Sequence, residues 1–280
     1  MVESYIPLSL DECLKILSDK QVRIVAGGTD MLIQNRSHTS MPIGFKTDVV
    51  YISNIEELKK IYEDEEFVYI GSVCSLEKIM ESELVPELLK NTILEMASPA
   101  IRHTATLAGN IGNASPAGDS LVPLYLLDAL VEIKSIKGVR KLALSDFITG
   151  VRKIDLEKDE LITKVILPKI SYTKGYFKKV GPRLSDAISK LSFAGAYRLE
   201  NNIVKDIRIA FGSVNVTVVR RRDLELRLIG KDVEEVKSMT NEIVDWYDEF
   251  IKPIDDQRSN KEYRKNISLK LLRSFIENIE

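Results

Sequence analysis

Histidine and cysteine are scarce in this sequence, and their scarcity excludes several kinds of metal chemistry. The chain of 280 residues contains two histidines, His38 and His103, and two cysteines, Cys13 and Cys74. A transition-metal site built from imidazole or thiolate ligands needs more of these side chains at close spacing, and an iron–sulfur cluster needs about four cysteines. We therefore expect no metal site, and any redox chemistry would have to come from an organic cofactor.

Long apolar runs and a targeting segment are also missing. No stretch approaches the roughly 20 consecutive apolar residues that a membrane-spanning helix requires. The acidic N-terminal stretch "MVESYIPLSLDECL" lacks the basic and apolar parts of a signal peptide. Neither cysteine belongs to a CxxC pair, so both are expected to be buried thiols in a reducing compartment. These features predict a cytoplasmic protein without a membrane span.

An excess of positive charge is absent as well. The formal net charge is −2 at pH 7, which offers no electrostatic argument for binding nucleic acid or an anionic membrane. The acidic run "EDEE" at 63–66 and the basic run "RRR" at 220–222 are expected to be solvated surface charges. The chain has neither the GxGxxG fingerprint of a dinucleotide-binding Rossmann fold nor the GxxxxGK[ST] sequence of a P-loop.

Hydrophobic periodicity predicts a mixed α+β protein with three regions, 1–55, 56–168 and 169–280. The first region combines an amphipathic helix at 9–19 with strands at "VRIV" and "VVYIS", which together would form a small β-α-β-like unit. In the last region strands precede helices, which favours an antiparallel sheet covered by helices on one face. The other predicted strands are "FVYIGS", "LVEIKS", "VRKLALS", "LITKVILP", "GYFKKV", "LSFAGAYRLE" and "NIVKDIRIAFGSV".

A glycine turn, Ala26–Asp30, lies between the strand "VRIV" and the helix start "MLIQNR". Backbone N–H groups at the start of a helix point outward and favour an anion, and Gly27 and Gly28 would permit positive φ and close approach. Asp30 would repel a phosphate, so we expect it to cap the following helix or to accept hydrogen bonds from a neighbouring loop. Taken alone, the turn is also compatible with a tight strand–helix connection that binds no ligand.

A second polar stretch, "ATLAGNIGNASPAGDSLVPL" at 105–124, has few bulky side chains in its first part. Glycine lets the backbone approach a ligand, and Asn, Ser and Thr offer hydrogen bonds. Asp119 could instead be the N-cap of the next helix. Together the two stretches suggest an extended phosphate-bearing ligand held between subdomains. The expected donor-rich ribbon consists of Gly109, Asn110, Gly112, Asn113, Ser115 and Asp119.

Four segments, in this order, resemble one protein family: "VAGGTDML", "TLAGNIGNASPAGD", "FKKVGPR" and "DQRSNKEYR". Over essentially its whole length the chain resembles the FAD-binding (medium) subunits of molybdenum hydroxylases, the group of xanthine dehydrogenase and carbon monoxide dehydrogenase. The resemblance implies an FAD-binding fold of the vanillyl-alcohol oxidase and p-cresol methylhydroxylase type. In that fold 1–55 and 56–168 are two α+β FAD-binding subdomains, and 169–280 is a C-terminal domain with a three-stranded antiparallel sheet and helices.

The resemblance also implies a set of FAD-binding residues and no catalytic side chain. Lining the pyrophosphate and adjoining parts of FAD would be Ile24, Val25, Ala26, Gly27, Gly28, Thr29, Asp30 and Met31. The second phosphate-side segment would comprise Thr106, Ala108, Gly109 and Asn110, with Asn113, Ser115 and Asp119 nearer the ribityl chain or the sugar. Ile162 would pack by the isoalloxazine ring. Lys179 would be a cation close to the flavin that favours its reduced form, and a solvated strand lysine is the alternative.

The sequence departs from the family at two places. Ala108 stands where many relatives have glycine, and a Cβ there would disfavour a positive φ. Val216 and Val218 stand where prolines are common, which puts the local loop shape in doubt.

The function implied by the resemblance is electron transfer. The chain would carry FAD in a hetero-oligomer with an iron–sulfur subunit and a molybdopterin-binding subunit, and it would pass electrons to NAD or another acceptor. Two alternatives stay open. One is a self-contained flavin oxidoreductase of the same fold that acts on a small molecule, and the other is a module that binds a nucleotide or phosphate ligand without redox chemistry.

Overall fold

Helices and strands alternate in the first part of the chain, and long strands precede helices in the last part. The computed structural model describes residues 2–36, 44–183 and 186–280. His38, one of the two histidines counted in the sequence, lies outside the described residues.

Elements occur at the helix and at each of the strands predicted from hydrophobic periodicity, and further short elements are added to them. The α-helices found in the described ranges are α1 Leu10–Asp19, α2 Thr29–Gln34, α3 Leu76–Glu81, α4 Glu87–Leu94, α5 Pro99–Arg102, α6 Leu107–Asn113, α7 Leu121–Leu126, α8 Leu144–Phe147, α9 Arg222–Glu225, α10 Val233–Ser238, α11 Thr240–Asp248 and α12 Lys261–Glu277. The strands found there are β1 Ser4–Tyr5, β2 Val22–Val25, β3 Asp48–Tyr51, β4 Ile61–Glu63, β5 Phe67–Gly71, β6 Leu130–Ser135, β7 Gly138–Ala143, β8 Ile148–Gly150, β9 Lys153–Ile154, β10 Leu161–Pro168, β11 Lys174–Val180, β12 Leu191–Glu200, β13 Ile203–Gly212 and β14 Val219–Arg220.

The chain divides into two compact units whose segments interleave along the sequence. Unit 1 consists of Met1–Val85, Ala97–Ala114 and Ala129–Lys169, and unit 2 consists of Pro86–Met96, Ser115–Asp128 and Ile170–Glu280. The division into three domains, 1–55, 56–168 and 169–280, stays a prediction from the sequence.

Unit 1 contains a parallel sheet and an antiparallel sheet. The parallel sheet has the order β1-β3-β2, and the antiparallel sheet has the order β4-β5-β10-β6-β7 within the described ranges. Strand β10 pairs with both β5 and β6, and its register against β6 shifts between Ile162 and Lys164. Such a bulge bends the strand and redirects nearby side chains. Ile162, at this bulge, lies beside Gly112 of α6.

Helix α1 begins where the sequence supplies a cap and an apolar face. The Oγ of Ser9 occupies the N-cap and accepts a hydrogen bond from the N–H of Glu12 at 3.2 Å, and Cys13, Leu14 and Leu17 are buried on one side of the helix. The predicted amphipathic helix is therefore confirmed. The cluster that covers this face contains Val50, Ile52, Ile55, Leu58 and Leu161.

Both cysteines are buried free thiols, as the sequence predicts. Burial raises the pKa of Cys13 to about 11 and also raises the pKa of Cys74. None of the described helices is long and apolar enough to cross a membrane.

Unit 2 is built on an antiparallel sheet packed against C-terminal helices. The described strands follow the order β11-β12-β13-β14, so three long strands are joined by a fourth of two residues. Aromatic rings form the interior: Phe193 lies 5.1 Å from Phe211 and 5.6 Å from Phe275, measured between ring centroids. A Cβ on Gly195 would lie 2.7 Å from Cζ of Phe275, so a bare backbone lets α12 pack closely on β12.

The basic run "RRR" departs from its predicted exposure. The Arg220 side chain is only 9% exposed, and its Nη1 lies 2.5 Å from Oδ1 of Asp128. Its Nε lies 3.2 Å from Oε1 of Glu225, a fully buried carboxylate. The prediction of a solvated run is therefore wrong for Arg220, because this residue lies in β14 and pairs with a buried acid on α9. The four residues of "EDEE" are exposed, as predicted.

Candidate functional site

The first glycine turn contains a left-handed residue at the start of a helix. Gly28 has φ 70° and occupies the N-cap of α2. A Cβ there would lie 3.3 Å from side-chain carbons of Leu32 and Val25, in a backbone conformation that side chains rarely adopt. Because glycine has no side chain, the N-cap position offers no acceptor to the first N–H groups of α2, which stay suited to an external anion.

Gly27 is required for a different reason, namely close approach to the second polar stretch. A Cβ on Gly27 would overlap the carbonyl oxygen of Thr104 and would lie 2.7 Å from the carbonyl carbon and 3.1 Å from Cα of Ala105. At Gly27 the first stretch therefore meets the start of the second, within unit 1, backbone against backbone.

The second stretch begins as a helix and is not the ribbon expected from its glycines and asparagines. Thr106 is the N-cap of α6, and its Oγ1 accepts a hydrogen bond from the N–H of Gly109 at 3.0 Å. Leu107, Ala108 and Ile111 are buried at helical spacing. Burial of this apolar face and the threonine cap outweigh the weak helix propensity of glycine and asparagine.

The helical conformation of this segment also explains why alanine is tolerated at position 108, where many relatives have glycine. The residue lies in the first turn of α6, where a negative φ is normal and a methyl group is accommodated. The left-handed residue comes later, at Ala114, which has φ 43° and ends the helix. The substitution of glycine by alanine is therefore no obstacle to this local path.

One face of α6 is bare and open. Gly109 and Gly112 are exposed and lie one turn apart, and a Cβ on Gly112 would lie 3.9 Å from Cδ1 of Ile162. Ile162 is itself 6% exposed and lies at the bulge of β10. A smooth helical surface beside an apolar side chain suits the close approach of a flat ligand.

Asp30 is held by the end of α6. Its Oδ2 accepts a hydrogen bond from Nδ2 of Asn113 at 2.8 Å. Of the two expected roles, Asp30 therefore has that of an acceptor, but its donor is the last residue of helix α6 and not a loop residue. Oδ1 of Asn113 accepts from Nη1 of Arg152 at 2.9 Å and from Nε2 of Gln34 at 3.2 Å. Arg152 and Gln34 were not predicted, because nothing in their local sequence signals a contact so distant along the chain.

Asp119 and Lys179 form a buried ion pair in unit 2. Oδ2 of Asp119 lies 2.8 Å from Nζ of Lys179, and the side chains are 7% and 6% exposed. The Ser189 hydroxyl donates to Oδ1 of Asp119, and Lys179 also donates to the carbonyl oxygen of Glu95 at 3.0 Å. Burial raises the pKa of Asp119 against the opposing effect of the lysine.

This pair corrects two of the alternatives drawn from the sequence. The N-cap of α7 is Ser120 and not Asp119, so the carboxylate serves the ion pair and not the helix. Lys179 is not a solvated strand lysine, since its ammonium group is enclosed by protein acceptors.

The predicted site residues thus fall into two groups. Unit 1 contains one group, whose segments meet at Gly27 and Asp30: residues 24–31, Thr106, Ala108, Gly109, Asn110, Asn113 and Ile162. Unit 2 contains Ser115, Asp119 and Lys179. Of these, Ser115 accepts a hydrogen bond at Oγ from the N–H of Ala117 at 3.3 Å, which shapes the turn before α7.

Two protein-family models match the chain. The model of the FAD binding domain in molybdopterin dehydrogenase matches residues 1–170, and the model of the CO dehydrogenase flavoprotein C-terminal domain matches residues 176–279. The chain therefore belongs to the family of FAD-binding subunits of molybdopterin dehydrogenases. Its cofactor is FAD, and it is a subunit of an oxidoreductase of the molybdenum hydroxylase group.

Named members of the family are similar along most of the chain. The glyceraldehyde dehydrogenase medium chain of Sulfolobus acidocaldarius is 28% identical over 263 residues, covering 92% of this chain and 91% of that protein. The nicotinate dehydrogenase FAD-subunit of Eubacterium barkeri is 30% identical over 210 residues, covering 71% and 69%.

Solved structures share the fold. Quinoline 2-oxidoreductase from Pseudomonas putida 86 matches with a TM-score of 0.88 at 22% identity, covering 99% of this chain and 95% of the matched chain. The expected α+β fold of the FAD-binding subunits is therefore confirmed.

The residues of unit 1 fit this cofactor. The uncapped start of α2 at Gly28 suits a diphosphate, and the bare face of α6 leaves room for a ligand beside the apolar Ile162. Which side chains contact FAD stays a prediction.

Proposed function

We propose that the chain is the electron-transfer subunit of a multi-subunit molybdenum hydroxylase. It would take electrons from an iron–sulfur subunit and pass them to NAD or another acceptor, while a molybdopterin-binding subunit acts on the substrate. The observation that carries the proposal is the contact of the two glycine-bearing segments in unit 1, at Gly27 and Thr104, in a chain that belongs to the FAD-binding family over nearly its whole length.

The proposed roles of the side chains are binding and orientation. Backbone N–H groups of Gly28 and Thr29 bind the diphosphate, because the N-cap glycine leaves them available. The exposed glycines of α6 let the cofactor lie against the helix, and Ile162 supplies an apolar contact for the ring system. Bound FAD supplies the chemistry, since a flavin accepts electrons singly and releases them as a pair.

In unit 2 we assign Lys179 the role of a cation that tunes the flavin. The ion pair with Asp119 holds the ammonium group in one position, and we propose Asp119 as its positioning partner. Ser115 is proposed to hold the turn that leads to Asp119.

The composition of the chain supports a partner-dependent role. Two cysteines are too few for a cluster held by four thiolates, and the described residues contain no group of three or more His, Cys, Asp or Glu side chains that could hold a metal ion. Electrons therefore reach the flavin from a partner subunit or from a directly bound donor. The family favours the partner, and the cytoplasmic location expected from the sequence stays a prediction.

The test compares the isolated chain with the complex isolated from its natural host. We expect the isolated chain to be yellow and to contain equimolar FAD, and to stay oxidised when small organic substrates are added without oxygen. In the complex, substrate should reduce the flavin, as followed by stopped-flow absorbance.

Two results would contradict the proposal in different ways. A colourless chain that takes up no FAD would reject flavin binding itself. Rapid reduction of the isolated chain by a small organic substrate would instead favour the self-contained oxidoreductase.

A further inference from the structure

We propose that Asn113 is a positioning residue for FAD binding: its side-chain amide sets the spacing between α2 and α6, the helices of the two glycine-bearing segments. The inference rests on the proposed function, since it concerns segments proposed to bind FAD. It differs from the direct contact with the ribityl chain or the sugar that the family resemblance implies.

The amide of Asn113 joins three elements that are far apart in sequence. Nδ2 donates to Asp30 in the first turn of α2, and Oδ1 accepts from Gln34 at the end of the same helix. Oδ1 also accepts from Arg152, in the turn between β8 and β9. The partners lie 83, 79 and 39 positions away, so these bonds determine tertiary spacing and not local conformation.

The β8–β9 turn is fastened to the same end of α6 by its backbone. The N–H of Arg152 donates to the carbonyl oxygen of Ala114 at 3.0 Å, and both residues have positive φ, 54° and 43°. Non-glycine residues keep that conformation only where their surroundings enforce it. The guanidinium group is thereby presented to Asn113 from a defined direction.

Contacts at two places therefore relate α2 and the turn before it to the second segment. One is the tight backbone approach of Gly27 to Thr104, and the other is Asn113, which is hydrogen-bonded to both Asp30 and Gln34. A single point of contact would allow α2 to pivot over α6, whereas two points fix its direction and with it the direction of the N–H groups at Gly28.

Asparagine is the side chain that this position requires. It presents a donor to the carboxylate of Asp30 and an acceptor to the guanidinium of Arg152, with both acceptor positions of Oδ1 used by Arg152 and Gln34. An aspartate would keep an acceptor for Arg152 but would replace the donor to Asp30 by a second carboxylate oxygen, and that contact is unfavourable at this distance.

The bond also restrains the charge of Asp30. Carboxylates in the first turn of a helix are attracted to its uncapped N–H groups, the groups proposed here for the diphosphate. Held by Asn113, the carboxylate of Asp30 is kept on the side of α6 and does not compete with the phosphates for those groups.

The experiment uses the full chain loaded with FAD and the variants Asn113→Asp, Asp30→Asn and their combination. Asn113→Asp should release FAD about tenfold faster, because like charges now oppose each other. The combined variant exchanges acid and amide and should return to nearly the wild-type rate. Asn266→Asp, on the exposed side of α12, adds the same charge elsewhere and should leave the rate unchanged.

Release is measured by flavin fluorescence after dilution, and hydrogen exchange of α2 is measured on the FAD-free chain. Faster exchange of α2 in Asn113→Asp, reversed in the combined variant, supports positioning independently of FAD. If Asn113→Asp does not fold, the FAD release rate of the combined variant tests the inference. A rate close to that of wild type supports it.

Two results overturn the inference while wild-type FAD binding stands. One is release from Asn113→Asp as slow as from wild type, and the other is release from the combined variant clearly faster than from wild type. A wild-type chain that holds no FAD rejects the proposed function, and the inference fails with it.

Discussion

Single residues in this protein owe their identity to backbone geometry and to burial. Gly27 and Gly28 are neighbours with different requirements: the first must let another backbone approach, and the second must adopt φ 70°. From the sequence alone Lys179 could have been a solvated strand lysine and Asp119 an N-cap, yet each side chain is less than a tenth exposed. The requirement is visible at these positions only when the contacting residue is known.

Replacement of Gly28 by valine should remove FAD and lower the stability of the chain. A β-branched residue at φ 70° is strained by about 1–3 kcal/mol, and its methyl groups would meet Leu32 and Val25. The flavin-to-protein ratio and urea unfolding measure the two effects. Gly28→Ala is the comparison variant, because its methyl group is smaller than the valine side chain and offers no hydrogen-bond acceptor to the N–H groups of α2. A valine variant that keeps its full FAD content would contradict the proposed diphosphate site.

Replacement of Lys179 by methionine should lower the reduction potential of the flavin and destabilise the chain by about 3–5 kcal/mol, since it leaves a buried carboxylate without its cation. Potentiometric titration and urea unfolding are the measurements. Lys178→Met is a matched control, because the neighbouring lysine is exposed. Equal potentials in both variants would remove the tuning role from Lys179. Adding Asp119→Asn to Lys179→Met should recover stability, as it removes the unpaired charge.

At the scale of elements, caps and buried faces decide where helices form. Helix α6 contains two glycines and two asparagines, residues of low helix propensity, and it forms because Thr106 caps it and its apolar face is buried. The C-terminal segment "DQRSNKEYR" caps helix α12 in the same way, because the Asn260 side chain is the N-cap and accepts a hydrogen bond from the N–H of Tyr263. Arg264 is buried there, with Nη2 2.5 Å from Oδ1 of Asp256, and its Nη1 donates to the carbonyl oxygen of Ser213 at 3.3 Å.

Removal of the cap of α6 should loosen the second segment. Thr106→Ala should cost about 0.5–2 kcal/mol of stability, because the N–H of Gly109 loses its acceptor. Thr106→Ser keeps a hydroxyl group and should retain most of that stability. Urea unfolding of the FAD-free chain gives the comparison. Equal loss in both variants would assign the effect to the missing methyl group and not to the cap.

For the whole molecule, ion pairs between distant segments make stability depend on pH. Hydrogen bonds from Arg140 lower the pKa of Glu160 below its ordinary value of 4.5, and the arginine also binds Asp155. A depressed carboxylate pKa stabilises the folded state above that ordinary value, and the contribution is lost as the pH falls through the lower folded pKa. Burial raises the pKa of Asp119, so its effect on stability runs in the opposite direction. The folded state gains stability relative to the unfolded state as the pH falls and Asp119 takes up a proton.

Arg140→Met should therefore destabilise the chain in a pH-dependent way. Near neutral pH the loss should be about 1 kcal/mol, as expected for a partly exposed pair. The difference from wild type should shrink as the pH falls below 4.5, the ordinary pKa of glutamate. Urea unfolding at a series of pH values measures it. A difference that stays constant with pH would mean that Arg140 acts through packing and not through the charge of Glu160.

The sequence alone determined the long strands, the first helix and the chemical class of the site. Periodicity predicted α1, β10 and the long strands of unit 2, because burial of an apolar face depends on residue spacing along one segment. The two glycine-bearing segments were found from composition, because glycine has no side chain and marks places where the backbone can approach another group. The resemblance of four segments to one family implied that the cofactor is FAD.

Tertiary structure alone decided which partners the polar side chains take. The helix in place of a ribbon at α6, the burial of Arg220 and the pairing of Asp119 with Lys179 all depend on groups distant in sequence. The bridge from Asp30 through Asn113 to Arg152 belongs to the same class. A hydrogen bond or ion pair between remote segments leaves no local pattern, because its energy depends on where the fold brings both partners.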